Sequence, residues 1–326
     1  MLKKLALTGL ALAVFCAAAP AALAVELQFL RSWDAKYQGT AGMADTYATM
    51  VEEASGGDIT FKLVGPETVP PFEQLQPVQA GVFDMLFTHG AYHAGTTSMV
   101  IGLDTVDPDP AMRREVGIWD YIDAHYQTLG MKLLSLPASG GSHFMLRNPV
   151  AEGEDFSGMK IRGTPPIHPV IEALGGSPVV MPGGEIYSSL DKGVVDGANW
   201  PVSGAVAFKW YEVSCCFMRP NFGTTAHPIL INLDSWNALS AEQQAVMLEQ
   251  GELLESEVRA AFTEAEKDEE AKLIELGMQR IEFGPEVWDR AAKAFVEGYW
   301  NIAASRDPEA AEEMRSMASE AGLIFE

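Results

Sequence analysis

The segment from residue 241 to residue 276 contains no proline and only one glycine, Gly251. Ser240 precedes the segment and Gln243 follows three positions later, which is the pattern of a helix-capping box. A continuous helix of roughly 36 residues would be about 54 Å long, longer than one small domain is wide. We therefore expect a helix that runs along two lobes and kinks near Gly251. Its acidic run at 268–270 is typical of a solvated helix face.

Hydrophobic periodicity predicts two α/β units before this helix. The first has predicted strands and helices in alternation, at 25–31, 42–54, 59–64, 72–80 and 83–87. Two further strand candidates follow, at 131–136 and 143–147. The second unit repeats the alternation, at 159–162, 166–174, 177–181, 186–192 and 194–198. After the long helix, a strand is predicted at 279–283 and helices at 285–303 and 308–321.

The predicted fold class is therefore α/β, with two lobes, a long helix spanning both lobes and a ligand cleft between them. We assign residues 25–147 and about 237–277 to lobe I. Lobe II takes residues 148–236 and about 278–326.

The first 24 residues have the pattern of a cleavable export signal. Lys3 and Lys4 precede an apolar run, and Ala22 and Ala24 form a small-x-small cleavage site before Val25. The apolar run is shorter than the ~20 residues that cross a bilayer. We expect the mature chain to be exported to the periplasm, without a membrane-inserted segment.

The chain is strongly acidic, with a formal net charge of −23. Such a surface repels nucleic acid and anionic lipid, so we expect neither as a partner. Cys215 and Cys216 are the only cysteines outside the signal, so no disulfide framework is expected. Two thiols on a buried strand are favoured over a bond between these neighbours.

Motifs for catalysis are incomplete. Residues 140–143 resemble half of a nucleophile elbow, but Phe144 stands where its closing glycine belongs. His89 and His93 have the spacing of two metal ligands on a helix, without the glutamate of a metalloprotease motif. We therefore predict no enzymatic activity, no metal and no cofactor.

Arg162 stands at the C-terminal end of a predicted strand, where an open α/β sheet presents groups to a ligand. A guanidinium at that position can bind a carboxylate through two parallel hydrogen bonds. It can equally be a structural arginine paired with Asp or Glu. The residues alone leave both interpretations open.

Residues 155–201 carry three motifs in a fixed order, and these resemble a known family. Gly158, Lys160 and Arg162 match a G-x-K-x-R strand, and a G-x-V-D-G turn occupies 193–197. Between them lies an L-G-x-x-P stretch that ends in E-x-Y, at Leu174, Gly175, Pro178, Glu185 and Tyr187. The chain resembles the extracytoplasmic solute-binding subunits of TRAP transporters, the DctP family, over nearly its whole mature length.

The resemblance implies a two-lobe periplasmic binding protein fold that closes on a small organic acid. It assigns the ligand carboxylate to Arg162 and other pocket groups to loops after strands. The resemblance implies Arg162, Asn199, Trp200, His89, Tyr92, Ser32 and Trp33 as ligand-binding residues. We add Phe72, Glu73 and Phe222 to this expected set. For Glu185 and Tyr187 we favour a structural or hinge role.

Departures from the family pattern narrow the range of expected ligands. Gly141 aligns with a second pocket arginine of members that bind dicarboxylates or acidic sugars, and Arg147 is expected to face solvent. Gly141 and Phe222 align with the cation-holding positions of another subgroup. We expect a monocarboxylate, such as an aryl, 2-oxo or 2-hydroxy acid, delivered to TRAP membrane permease subunits. The alternatives are a ligand-binding sensor for a membrane receptor and an exported hydrolase or lyase.

Overall fold

The computed structural model describes residues 24–150 and 155–325, so the predicted export signal lies almost entirely outside the described residues. Thirteen strands are present in this part of the chain. They are β1 Val25–Arg31, β2 Ile59–Val64, β3 Met85–Phe87, β4 Met131–Ser135, β5 Ala138–Ser139, β6 Ser142–Leu146, β7 Lys160–Arg162, β8 Ser177–Val179, β9 Gly197–Pro201, β10 Cys216–Arg219, β11 Thr225–Ala226, β12 Ile229–Asn232 and β13 Gln279–Glu282.

Ten α-helices accompany these strands in the described ranges. They are α1 Thr46–Ala54, α2 Leu75–Gln79, α3 Pro110–Glu115, α4 Ile118–Thr128, α5 His168–Ala173, α6 Ile186–Asp191, α7 Leu233–Ala238, α8 Ala241–Glu275, α9 Pro285–Ala303 and α10 Pro308–Glu320. A short 3-10 helix, Met99–Thr105, also contributes to the functional site described below. No helix of the described ranges is both long and apolar enough to cross a membrane.

Two mixed sheets form the framework. The first has the strand order β2-β1-β3-β12-β4, and the second has the order β13-β10-β6-β9-β7-β8. The antiparallel ribbon of β5 and β11 lies where the chain passes from the first sheet to the second and back again. The chain therefore crosses between the sheets twice at this ribbon, and it crosses again along α8, between β12 and β13.

Sheet membership corrects the predicted lobe boundaries. β6 was assigned to lobe I, yet it pairs with β9 and β10 in the second sheet. β12 was assigned to lobe II, yet it pairs with β3 and β4 in the first. Helix α10 likewise packs in the apolar cluster of the first sheet. The physical reason is that antiparallel strands join distant parts of the chain, so local sequence order does not reveal the crossing points.

Side chains alternate between the two faces of each sheet. On β1, Phe29 belongs to a cluster on the inner faces, and Leu30 to a cluster behind the first sheet. On β6, Met145 joins the inner cluster, whereas Phe144 and Leu146 pack behind the second sheet. The inner cluster thus continues from one sheet to the other, and each sheet has its own outer apolar layer.

Helix α8 confirms the prediction of one long helix contacting both sheets. Its capping box is formed, with the Ser240 hydroxyl accepting from the Gln243 amide. The acidic run differs from expectation, because only Asp268 is exposed. Glu269 accepts hydrogen bonds from backbone amides of the loop after β9, and Glu270 pairs with Arg219 of β10. These carboxylates join the helix to the second sheet.

Gly251 does not break α8, which is continuous from Ala241 to Glu275. The glycine permits close packing instead, because an added Cβ would overlap the carbonyl oxygen of Leu134. The Ser135 hydroxyl donates to the Gly251 carbonyl over 2.7 Å. The helix therefore rests directly on the backbone of β4.

The two neighbouring cysteines also differ from expectation. Cys215 and Cys216 are joined by a disulfide at the start of β10, where free thiols were predicted. Free thiols were favoured because a bond between sequence neighbours departs from ordinary disulfide geometry.

Gly251→Ala is expected to destabilise the protein. Alanine is favoured over glycine inside a helix by about 1 kcal/mol, but overpacking against a fixed backbone costs about 1–3 kcal/mol. We expect a net loss of up to roughly 2 kcal/mol in the free energy of unfolding, measured by urea denaturation. Gly95→Ala is the matched control, because an added Cβ there meets no atom within 4 Å. Equal stabilities of the two variants would contradict the packing argument.

Glu266 makes stability dependent on pH. It lies on α8 and accepts a hydrogen bond from the Gly140 amide over 2.7 Å, and burial raises its pKa to about 7 despite that bond and nearby Arg219. Between about pH 4.5 and 7 the folded protein holds a proton that the unfolded chain has released. The stabilising contribution of Glu266 is therefore complete at the acid end and is lost as pH rises through about 7.

Glu266→Gln keeps the acceptor for Gly140 and removes the titration. We expect the stability of this variant relative to wild type to increase between pH 5 and pH 8, measured by urea unfolding at each pH. Glu264→Gln removes one exposed carboxylate from the same helix and serves as the control. A difference between Glu266→Gln and wild type that stays constant with pH would refute the assignment.

Candidate functional site

A cavity of about 50 Å³ is lined by residues associated with both main sheets. This volume is several times the roughly 10–15 Å³ that one water needs on the same measure. Its lining residues are Trp33, Tyr37, His89, Tyr92, Asp104, Ser142, Arg162, Thr164, Asn199, Trp200, Pro201, Thr225, His227 and Tyr299. Six of the ten predicted ligand-binding residues are among them: Arg162, Asn199, Trp200, His89, Tyr92 and Trp33.

Arg162 is the last residue of β7 and is only 2% exposed. Its Nε and Nη2 donate to the carbonyl oxygen of Met181 over 3.1 and 2.9 Å, and its Nη1 donates to the Asn199 carbonyl over 2.9 Å. Within 24–150 and 155–325, no carboxylate lies within 4 Å of this guanidinium. Burial lowers its pKa, and interaction with Tyr92 partly opposes that shift. The structural alternative, an arginine paired with Asp or Glu, is therefore absent from the described residues.

β9 places Asn199 and Trp200 beside this arginine. The Asn199 amide nitrogen donates to the Ser142 hydroxyl and to the His143 carbonyl, so its side chain is held by the neighbouring strand β6. The Trp200 ring lies 5.5 Å from the Arg162 guanidinium carbon. Such a cation–π contact offsets part of the cost of burying the charge.

Aromatic rings form the first-sheet side of the cavity. Trp33 follows β1, and its Nε1 donates to the Tyr92 hydroxyl over 3.0 Å. Tyr37 packs edge-on against Trp200 of the second sheet with ring centroids 5.4 Å apart. Burial, with a smaller contribution from Tyr92, raises the pKa of Tyr37, so its hydroxyl stays protonated.

His89 and Asp104 form a buried pair on the same wall. His89 Nε2 lies 2.8 Å from Asp104 Oδ2, and His89 Nδ1 accepts from the Ala91 amide over 3.3 Å. The other carboxylate oxygen of Asp104 accepts from the Ala226 amide over 3.0 Å. The pair thereby ties the short helix Met99–Thr105 to β11, where the chain crosses between sheets.

His227 is a neutral member of the lining. It stacks on Phe87 with an interplanar angle of 13°, and its Nε2 lies 3.3 Å from the Tyr37 hydroxyl. Burial, reinforced by the nearby His89, lowers the pKa of His227 to about 3. Near neutral pH this ring carries no charge.

Four predicted residues lie away from the cavity. Ser32 is buried behind it, hydrogen-bonded to Gln74 and Thr88 over 2.6 and 2.9 Å. Phe72 and Glu73 line a separate surface groove, with Phe72 against the far side of Tyr92. Phe222 packs behind the second sheet among other aromatic rings. Only its backbone pairs with Ser142 of β6.

Eight lining residues are outside the predicted set: Tyr37, Asp104, Ser142, Thr164, Pro201, Thr225, His227 and Tyr299. Asp104 and Tyr299 lie on helices that pack together, and His227 follows β11. Their proximity depends on the double crossing between sheets, which no local pattern reveals.

Gly141 and Phe222 align with a second arginine or with cation-holding groups in other family members, and neither kind of group is present at these positions here. A Cβ at Gly141 would overlap the carbonyl oxygen of Phe222, so a side chain does not fit there. Arg147 is exposed, as expected. His93 turns away from His89 to bond the Tyr126 hydroxyl, and no group of three or more metal-ligating side chains occurs in the described ranges.

Glu185 and Tyr187 also lie outside the cavity. Glu185 is exposed, and the Tyr187 hydroxyl donates to Glu212 over 2.8 Å. This contact links α6 to the 3-10 turn Trp210–Glu212.

Comparison with known proteins agrees with this architecture. The chain is 29% identical over 244 residues to the monocarboxylate 2-oxoacid-binding periplasmic protein of Nostoc sp., covering 68% of this chain and 64% of that protein. A TRAP periplasmic solute-binding protein from Desulfovibrio salexigens, solved with orotic acid, has a TM-score of 0.81 at 20% identity, covering 91% of this chain and 98% of that one. A similar protein from Rhodoferax ferrireducens, solved with malonate, has a TM-score of 0.79 at 19% identity, covering 90% and 98%.

These solved structures have the same two-lobe α/β fold that the sequence predicted. Residues 34–306 match the family described as bacterial extracellular solute-binding protein, family 7, also called DctP. That description is of a binding protein rather than an enzyme, in agreement with the sequence-based expectation. Because the match covers most of the sequence, the chain belongs to the DctP family of bacterial extracellular solute-binding proteins.

Proposed function

We propose that this protein captures a small organic acid with one carboxylate, an aryl, 2-oxo or 2-hydroxy acid, and delivers it to a TRAP-type membrane permease. The observation that carries the proposal is the buried guanidinium of Arg162, which has no acidic partner among the described residues. An uncompensated buried charge is costly, and a ligand carboxylate would compensate it.

The hydrogen bonds of Arg162 leave room for such a ligand. A guanidinium has five N–H donors, and three of them are used by the carbonyls of Met181 and Asn199. Two donors remain, which suits a carboxylate bound through parallel hydrogen bonds. The carbonyls orient the group without neutralising it.

The rest of the lining favours one carboxylate over two. Arg162 is the only Lys or Arg in the lining, and Gly141 has no space for a second arginine. The remaining walls are mostly aromatic rings, neutral histidine and amide groups. Flat apolar walls with a few polar groups suit a small acid with an apolar or aromatic body.

The names of the relatives support the class of ligand and leave its identity open. A 2-oxo acid appears in the name of the Nostoc protein, and orotic acid and malonate are bound in the two solved structures. All are small organic acids, but malonate carries two carboxylates. We infer the monocarboxylate from this chain's own lining residues.

Capture and release would use the two-lobe construction. Residues from both sheets line the cavity, and the chain crosses between the sheets at the β5–β11 ribbon. Hinge closure around a ligand is a recognised motion of periplasmic binding proteins. In this proposal the closed form, exported by the predicted signal at residues 1–24, docks on the permease.

Arg162→Ala is expected to weaken binding of the ligand by about 2 kcal/mol or more, which is roughly 30-fold in Kd. The panel should include pyruvate, lactate, benzoate, pyroglutamate and malonate, screened by thermal shift and then measured by titration calorimetry. Arg162→Lys keeps the charge but loses the planar fork, so we expect an intermediate loss.

Arg147→Ala is the matched control, because it removes an exposed arginine outside the cavity. Circular dichroism checks that each variant is folded. An acid that binds wild type and Arg162→Ala with equal affinity would remove the basis of the proposal.

A further inference from the structure

The cavity contains one buried acid as well as one buried base. Asp104 is 3% exposed and lines the same cavity as Arg162. An acidic side chain in the pocket of an acid-binding protein is unexpected, because it repels the ligand's own charge. Its presence therefore requires a reason in the structure or in the ligand.

The structural partners of Asp104 are both hydrogen-bond donors. Ala226 donates its amide to Oδ1, and His89 faces Oδ2 through Nε2. Because His89 Nδ1 accepts the amide hydrogen of Ala91, the imidazole proton lies on Nε2 and is donated to Asp104. With a donor on each oxygen, Asp104 acts as a carboxylate acceptor.

These two bonds do not exhaust its capacity. A carboxylate has about four lone-pair sites, and two of them are used. Within the described ranges no Lys or Arg nitrogen lies within 4 Å of Asp104, and buried Arg113 interacts with its charge only from a greater distance. Asp104 can accept a further hydrogen bond from a molecule in the cavity.

We propose that the ligand carries a hydrogen-bond donor, a ring N–H or a hydroxyl, that Asp104 accepts while Arg162 binds the ligand carboxylate. Asp104 is then a specificity-determining residue, and His89 is the residue that positions it. The inference deepens the proposed function and rests on it. It predicts a ligand that combines one carboxylate with one donor.

The same geometry selects against a second carboxylate. A dicarboxylate that binds Arg162 would bring another negative charge into a small cavity that already holds Asp104, with little water to screen it. A donor-bearing monocarboxylate instead satisfies both buried charges. Selection thus acts through attraction of the correct ligand and repulsion of the competitor.

Matched ligand pairs test this in the wild-type protein, independently of folding. Pyroglutamate is compared with 5-oxotetrahydrofuran-2-carboxylate, its lactone analogue, in which oxygen replaces the ring N–H. Lactate is compared with 2-methoxypropanoate, which lacks the hydroxyl. In a pair that binds, we expect the donor-bearing acid to bind roughly tenfold tighter or more by calorimetry, because the analogue leaves a buried acceptor unpaired.

Asp104→Asn supplies the second test. It removes the charge and one acceptor oxygen, so we expect the preference within the ligand pair to fall by roughly threefold or more. Malonate binding should strengthen relative to wild type, a gain that a purely structural role for Asp104 would not produce. Asp107→Asn is the matched control just after the same short helix, since Asp107 lies outside the cavity beside Arg259.

The outcomes separate the two proposals. If no acid in the panel binds, the proposed function fails and the inference fails with it. If acids bind but each analogue equals its donor-bearing partner, or donor-free pyruvate binds more tightly than both pairs, only the inference is overturned. A preference that persists unchanged in Asp104→Asn would also overturn it, because the donor would then be bound elsewhere.

Discussion

The guanidinium of Arg162 is a positive charge held almost out of reach of solvent, and the arrangement around it depends on how that charge is stabilised. Two main-chain carbonyls accept from it, and the Trp200 ring lies against it. Carbonyl dipoles and a ring quadrupole offset the loss of hydration without neutralising the charge. The strands β7 and β9 therefore serve to present an arginine, a carbonyl and a ring in one place. The positive charge that remains can attract an anion.

Helix α8 joins the two sheets through both apolar packing and carboxylates. Its first half packs closely on β4 through Gly251 and apolar side chains such as Leu254. Its second half has buried apolar side chains as well, Phe262 and Leu273, and carboxylates such as Glu269 that accept from backbone amides. Apolar packing is dense and resists displacement, whereas single hydrogen bonds exchange readily with water. The apolar contacts therefore fix the position of the helix along its length, and the carboxylates orient the loops beside it.

Much of this architecture was predictable because its signals are local. The capping box at Ser240, the long proline-free helix and the strand ending at Arg162 are each encoded within a few residues. The strand predicted at 194–198 begins later, at Gly197, because the turn after α6 occupies the intervening residues. The wrong lobe assignments of β6 and β12 have another cause, since antiparallel pairing joins distant segments. Phe222 shows the same limit: an aromatic residue suits a pocket or a core equally, and only tertiary packing assigns it to the core.

The ionisation of the cavity follows from burial. His227 would add a positive charge near pH 6 if it were exposed, but its lowered pKa of about 3 keeps it neutral through the range in which the protein would bind ligand. Tyr37 stays protonated for the corresponding reason. In the proposed complex, Arg162 attracts the ligand carboxylate and Asp104 accepts from the ligand's donor. Because both side chains are buried and held by hydrogen bonds within the fold, recognition would depend on whether a ligand matches both ends.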